Sequence, residues 1–196
     1  MTANTPSECP VESQNQNDSR TDQQLIAAIN AGDVAAFEAL YFRYRDWVVK
    51  LVYRFTGSED LALDVMQETF LYFLRKFPGF RLTANLKTFL YPAVRNLTIA
   101  ARRKAGRYQS TETEQVQLEQ VPAADEPAGS GNDLAIALAS LSEQHREVLL
   151  LRYVDGLNLA EIAEAADVPL GTVKSRLHNA LEILRQDKRT RQFFEE

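Results

Sequence analysis

The sequence predicts an all-α protein of two small helical domains joined by a flexible linker. Three observations carry that expectation. Apolar residues recur at spacings of three and four between capping signals, and no stretch shows the period of two that a half-buried strand needs. From Gln109 to Gly131 there are five acids, no base, two prolines and two glycines, the composition of a self-repelling tether. The charge is also segregated: nine bases and no acid lie between Arg75 and Arg107, and six bases against two acids between Leu170 and Arg191.

A length of 196 residues allows one or two small domains, and 45% hydrophobic with 25% charged residues suits a water-soluble fold. No apolar run approaches the ~20 residues of a membrane helix, so no membrane insertion is expected. The N-terminus lacks a charged segment followed by an apolar core. The single cysteine, Cys9, has no partner for a disulfide, and His145 and His178 are far apart, so no metal site or cofactor is expected. A reducing, cytoplasmic setting follows. The net charge of −5 hides two basic patches separated by the acidic tether, and such patches are the footprint of a nucleic-acid binder.

In chain order, residues 1–20 are polar and too poor in apolar groups to bury anything, so they read as a disordered tail. Thr21 and Gln24 form a capping box for a helix over Asp22–Asn30, which stops at Gly32. Asp33 caps the next helix, Val34 to Phe55, which ends at Thr56-Gly57. Ser58 caps a third, from Glu59 to about Lys76, with Leu61, Val65, Phe70, Phe73 and Leu74 toward the core and Asp64, Gln67 and Glu68 as a polar stripe. Phe77-Pro78-Gly79-Phe80 is a turn. A fourth helix runs from about Leu86 to Gly106, and Pro92 within it predicts a kink or an irregular first turn, because proline removes a hydrogen bond and crowds the preceding turn.

Beyond the tether, a short helix is expected over Asp133–Ala139, then Glu143–Val154 capped by Ser142. The latter is apolar most of the way round and should be packed on more than one side. Asn158 and Glu161 make a second capping box for a helix to Ala166. Asp167-Val168-Pro169 turns into the last helix, where Val173, Leu177, Ala180, Leu181 and Leu184 share one side. Thr172, Ser175, His178 and Asn179 share the other, with Lys174 and Arg176 on the flanks. A short helix, a tight turn and a longer helix with a polar, basic outer face is the shape of a helix-turn-helix, whose second helix enters the major groove. Gly171 near its start allows close approach of a phosphate to free backbone N–H groups.

Several strings here resemble a known family. Leu141-Ser142-Glu143-Gln144-His145-Arg146-Glu147-Val148, Leu151-Arg152-Tyr153, Gly156-Leu157, Glu161-Ile162-Ala163 and Gly171 through Leu177 are similar to region 4 of extracytoplasmic-function sigma factors. Asp60-Leu61-Ala62, Asp64 and Gln67-Glu68-Thr69-Phe70 are similar to their region 2. The resemblance spans Thr21 to Gln186. It implies a region 2-like helical bundle at 21–108, the acidic linker at 109–131, a region 4-like helix-turn-helix at 132–190 and a tail at 191–196.

The resemblance also implies roles. Asp64, Gln67 and Glu68 match the site for the β′ clamp helices of core RNA polymerase, and carboxylates with an amide suit an arginine-rich partner. Phe80, Arg81, Lys87, Tyr91, Arg95 and Asn96 match the surface that captures the minus-ten element as it melts. Relatives carry Trp-Leu-Tyr where this chain has Phe89-Leu90-Tyr91, and Phe89 reads as core. Gly171, Thr172, Lys174, Ser175, Arg176, His178 and Asn179 match the readers of the minus-thirty-five element, with region 4 against the β flap. Implied partners are core polymerase, promoter DNA and an anti-sigma factor.

No catalytic pair, glycine-rich phosphate loop or metal-ligand spacing is present, so no enzyme is expected. The alternative is a helix-turn-helix transcriptional regulator with a helical sensing domain. That reading leaves the acid-free basic span and the polar stripe unexplained.

Overall fold

The computed structural model describes residues 18–109 and 130–191. Residues 1–17 of the expected tail at 1–20, most of the expected linker and residues 192–196 lie outside the described residues, while Asp18 and Arg20 of that tail are described and bond to Arg43 and Asp33. Eight helices are described: α1 (Asp22–Asn30), α2 (Val34–Thr56), α3 (Glu59–Leu74), α4 (Leu86–Gln109), α5 (Ser130–Ser140), α6 (Glu143–Tyr153), α7 (Leu159–Ala166) and α8 (Leu170–Gln186). Among the described residues the fold is all-α.

The caps locate most helix starts. The Thr21 and Gln24 capping box opens α1, and the Asn158 and Glu161 box opens α7. Asp33, Ser58 and Ser142 side chains each accept a backbone N–H in the first turn of α2, α3 and α6. Such caps contribute about 1 kcal/mol each by satisfying donors that have no intrahelical partner. Gly57 ends α2 at φ 66°, a left-handed conformation that costs a glycine little. Asp167 takes the same region at φ 53° after α7, where Val168 N–H donates to Ala163 O, closing the turn before Pro169. The helix assignment of α4 continues through Pro92, six residues after its start, where a kink or irregular turn was expected.

One large hydrophobic cluster unites α1 to α4. Leu25, Leu40, Val48, Val52, Val65, Phe73, Leu86, Leu90 and Val94 are all fully buried in it. A chain of ring contacts extends it: Phe73 meets Phe77 and Phe80, Phe80 meets Phe89, and Phe89 stacks on Tyr72. Phe89 is therefore half-buried packing, as its sequence reading had it. Two residues depart from expectation. Leu74 is 45% exposed and Leu61 only half-buried, because the buried side of α3 runs instead through Ala62, Val65, Met66, Thr69, Phe70 and Phe73.

The same cluster does not stop at α4. Val148 and Leu151 of α6, Leu157, Ile162 and Ala165 of the α6–α7 segment and α7, and Val173 of α8 belong to it, and α4 packs against α7. A second, smaller cluster holds Ala137, Leu141, Leu149, Ala180 and Leu184. Helix α6 thus faces both clusters, as its all-round apolar pattern foretold. Arg146 ties α5 to α6: its guanidinium donates to the carbonyls of Leu138 and Ala139 in the last turn of α5 and of Leu141 just after it.

Candidate nucleic-acid interface

Three surfaces carry the residues singled out from the sequence, and the fold treats them differently. The first is the outer face of α3. Asp64, Gln67 and Glu68 are all exposed on it, as a stripe at spacings of three and four. Leu63, Leu71 and Leu74 are exposed beside them, at 48%, 53% and 45%. A groove of about 310 Å³ runs between this stripe and α4, lined by Asp64, Glu68, Ala101 and Lys104 among others. Carboxylates beside exposed leucines form a surface with both polar and apolar contacts to offer a partner.

The second surface is the start of α8. Val173, Ala180 and Leu184 are buried and hold the helix down, while Gly171, Lys174, Ser175, His178 and Asn179 are exposed and Thr172 and Arg176 half-exposed. All seven expected residues therefore lie on or flank one accessible face. None of the ion pairs among the described residues involves Lys174 or Arg176. Pro169 at the N-cap makes no side-chain hydrogen bond, and although Thr172 N–H donates to Pro169 O, the N–H groups of Leu170 and Gly171 stand at the positive end of the helix dipole for an incoming anion. A Cβ placed on Gly171 would meet nothing within 4 Å. Its lack of a side chain is therefore not required by packing.

The third surface, the loop before α4 and the first half of α4, departs from expectation. Asn30 fastens the loop: its amide donates to Phe80 O at 2.8 Å and accepts Gly79 N–H at 2.6 Å. Arg81 and Asn96 are exposed, and Phe80 is half-buried among its aromatic neighbours. Tyr91, expected on the exposed face, is 1% exposed. Its hydroxyl donates to the carboxylate of Glu147 in α6. Burial, and then the negative charge and hydrogen bond of Glu147, push its ionisation well above the usual tyrosine range, so the hydroxyl remains a donor. Arg95 Nε lies 3.5 Å from the same carboxylate.

Lys87 is also engaged. Its ammonium donates to Asp155 O at 2.8 Å and sits 5.8 Å from the centre of the Trp47 ring. The Asp155 side chain is 2% exposed. Its Oδ1 accepts from the Trp47 indole at 2.8 Å, and Arg54 Nη2 reaches Oδ1 at 2.9 Å and Oδ2 at 3.0 Å. Trp47, Arg54, Glu147 and Asp155 were not singled out from the sequence. The partners of Asp155, Trp47 and Arg54, lie 108 and 101 residues away. The one available signal was compositional: Trp47 is the chain's only tryptophan, and it falls on a half-polar turn of α2.

Comparison with known proteins places both halves. Residues 40–108 match the family model for sigma-70 region 2, and residues 137–186 match that for sigma-70, region 4. The chain is 31% identical over 180 residues to the ECF RNA polymerase sigma factor SigW of Bacillus subtilis (strain 168), covering 85% of this chain and 96% of that protein. It is 32% identical over 177 residues to the ECF RNA polymerase sigma-E factor of Escherichia coli (strain K12), covering 84% and 92%. Among solved structures, the sigma factor RpoE from Bartonella quintana, in complex with the anti-sigma factor NepR, superposes with a TM-score of 0.58 at 25% identity. That match covers 78% of this chain and 96% of that one.

Proposed function

The chain belongs to the extracytoplasmic-function RNA polymerase sigma factors, and from that premise we propose how its surfaces divide the work. As a sigma subunit it binds core RNA polymerase and directs transcription initiation at promoters with recognisable minus-ten and minus-thirty-five elements. The exposed α3 stripe of Asp64, Gln67 and Glu68 receives the β′ clamp helices, with Leu63, Leu71 and Leu74 as apolar contacts around it. The start of α8 enters the major groove of the minus-thirty-five element, with region 4 held against the β flap. Lys174 and Arg176 reach phosphate or guanine, Ser175, His178 and Asn179 reach base edges, and Thr172 with the N–H groups around Gly171 takes a phosphate. The loop at Phe80 and Arg81 and the α4 residues Lys87, Tyr91, Arg95 and Asn96 take the melted minus-ten strand, where aromatic stacking contributes ~1–3 kcal/mol per base.

The observation that supports this division most is the accessible α8 face: seven residues matched to one role share a surface that the fold supports from beneath and leaves open. The chain performs no chemistry itself, since phosphoryl transfer belongs to the polymerase. It works in the cytoplasm with an anti-sigma partner. The alternative, a regulator with an unrelated sensing domain, finds no support where both halves match one family in order.

Reconstitution tests the assignment. Core polymerase with this chain should yield transcripts from its promoters, and core alone should not. Gln67→Ala with Glu68→Ala should weaken capture of core polymerase on immobilised chain while leaving α8-dependent duplex binding intact. Unchanged capture would remove the stripe from the interface.

A further inference from the structure

By hydrogen bonds, the loop that leads into α4 hangs on one side chain of another helix. Residues 78–84 make no backbone–backbone hydrogen bond among the described residues. Their two ties run to Asn30, the last residue of α1: its amide donates to Phe80 O at 2.8 Å and accepts Gly79 N–H at 2.6 Å. Past that point the chain alternates. Arg81, Thr83 and Asn85 are exposed, and Leu82 and Ala84 between them are half-buried. We propose that Asn30 is a positioning residue for minus-ten capture, setting the register in which this run offers Arg81 and Thr83 to the melted strand. The proposal rests on the reading of the loop as part of the minus-ten face. It makes strand capture depend on α1, which lies outside the span 40–108 that matches the region 2 model.

Three features give this role to Asn30 rather than to packing alone. Phe80 and Leu82 pack against the core, but apolar contact is non-directional and fixes depth better than register. In an extended run a slip of one residue turns every side chain to the opposite face, which would bring Leu82 and Ala84 out and carry Arg81 and Thr83 in. An amide paired with one N–H and one C=O is directional. It selects the register at the two residues immediately before the run, where Gly79 bends at φ 100°, a region that favours glycine. Next, Asn30 stands on a firm support. Leu25, Ile26 and Ile29 of α1 are buried, and Arg43 donates to Asp22 and to the carbonyls of Asp18 and Arg20 at its start. A side chain on such an element can impose its geometry on a loop. Finally, both partners of Asn30 are backbone groups, so the tie and the outward side chains can be varied separately.

The test uses the full chain bound to core polymerase. Asn30→Ala removes both bonds. Promoter opening, read as permanganate reactivity of unpaired thymines, should fall roughly tenfold or more, the scale on which a small misplacement costs a site its activity. Core capture and minus-thirty-five duplex binding should hold at wild-type levels. Asn30→Asp keeps the shape but sets a second oxygen against Phe80 O, so it should impair opening too; no effect would show that the amide only fills space. Because Asn30 acts through the loop, adding Asn30→Ala to Arg81→Ala should cost little beyond Arg81→Ala alone, whereas independent losses would multiply. Normal opening by Asn30→Ala, multiplied losses in the double variant, or a parallel loss of core capture would each overturn the positioning role. Normal opening by Arg81→Ala would instead overturn the minus-ten reading of the loop.

Discussion

The start of α8 and the first half of α4 carry the same chemistry and meet opposite fates. Both present basic and hydroxyl-bearing side chains on a helix held down by buried apolar residues. On α8 those side chains are accessible and outside every ion pair among the described residues. On α4 Lys87, Tyr91 and Arg95 are each taken by the chain's own α6 and the turn after it. The difference teaches that a nucleic-acid surface is set by what the rest of the chain leaves uncovered, not by helix composition.

Substitutions can break or sharpen that contrast. The largest effect is expected from Asp155→Ala, which strands the Arg54 guanidinium in a buried setting. It should cost about 3 kcal/mol in urea unfolding of the full chain, whereas Lys174→Ala should stay within about 0.5 kcal/mol. Equal stability losses from the two would erase the distinction between a covered and an open face. Next in size, Lys174→Ala should weaken minus-thirty-five duplex binding by about 1–3 kcal/mol if it contacts a base. If it touches phosphate instead, the slope of log affinity against log salt should shrink by about one. Competition binding at two or more salt concentrations separates these outcomes.

Smaller still is Gly171→Ala. The open space around Gly171 and the better helix propensity of alanine predict a gain of about 0.5 kcal/mol in stability. Duplex affinity should nonetheless fall, because the added methyl intrudes where a phosphate would approach. A rise in both would show that nothing approaches the backbone there. The smallest effect serves as a control at residues assigned to neither face. Asp18 pairs with Arg20, whose hydrogen bonds hold its carboxyl at about 2, below the usual 3.8. A depressed carboxylate contributes its full stability above the unfolded value and loses it as pH falls from 3.8 toward 2. A carboxyl titration by NMR should find that midpoint, and Asp18→Asn should leave duplex and strand binding unchanged.

Much of this architecture was legible along the chain because it is set locally. Thr21 with Gln24 and Asn158 with Glu161 name their helix starts, since a cap is satisfied by residues two or three positions away. The outer face of α8 followed from its period alone. Leu74 was misplaced because periodicity allots apolar residues to a side without saying how far a neighbouring helix extends over it. Tyr91 and Asp155 were illegible for a stronger reason. Their partners stand 56 and roughly a hundred residues away, and no local pattern records which loop folds back onto which helix. The turn after α6 carries the aspartate that bridges the halves.

The apolar cluster shared by α4 and α7 gives the packing of the two halves a thermal character. Parting those helices would wet hydrocarbon, and wetting hydrocarbon raises heat capacity. Attraction of that kind fades on cooling, and the desolvation cost of the ion pairs across the same junction rises as the temperature falls. Chilling the chain therefore weakens both kinds of contact, and its two halves should part more readily in the cold.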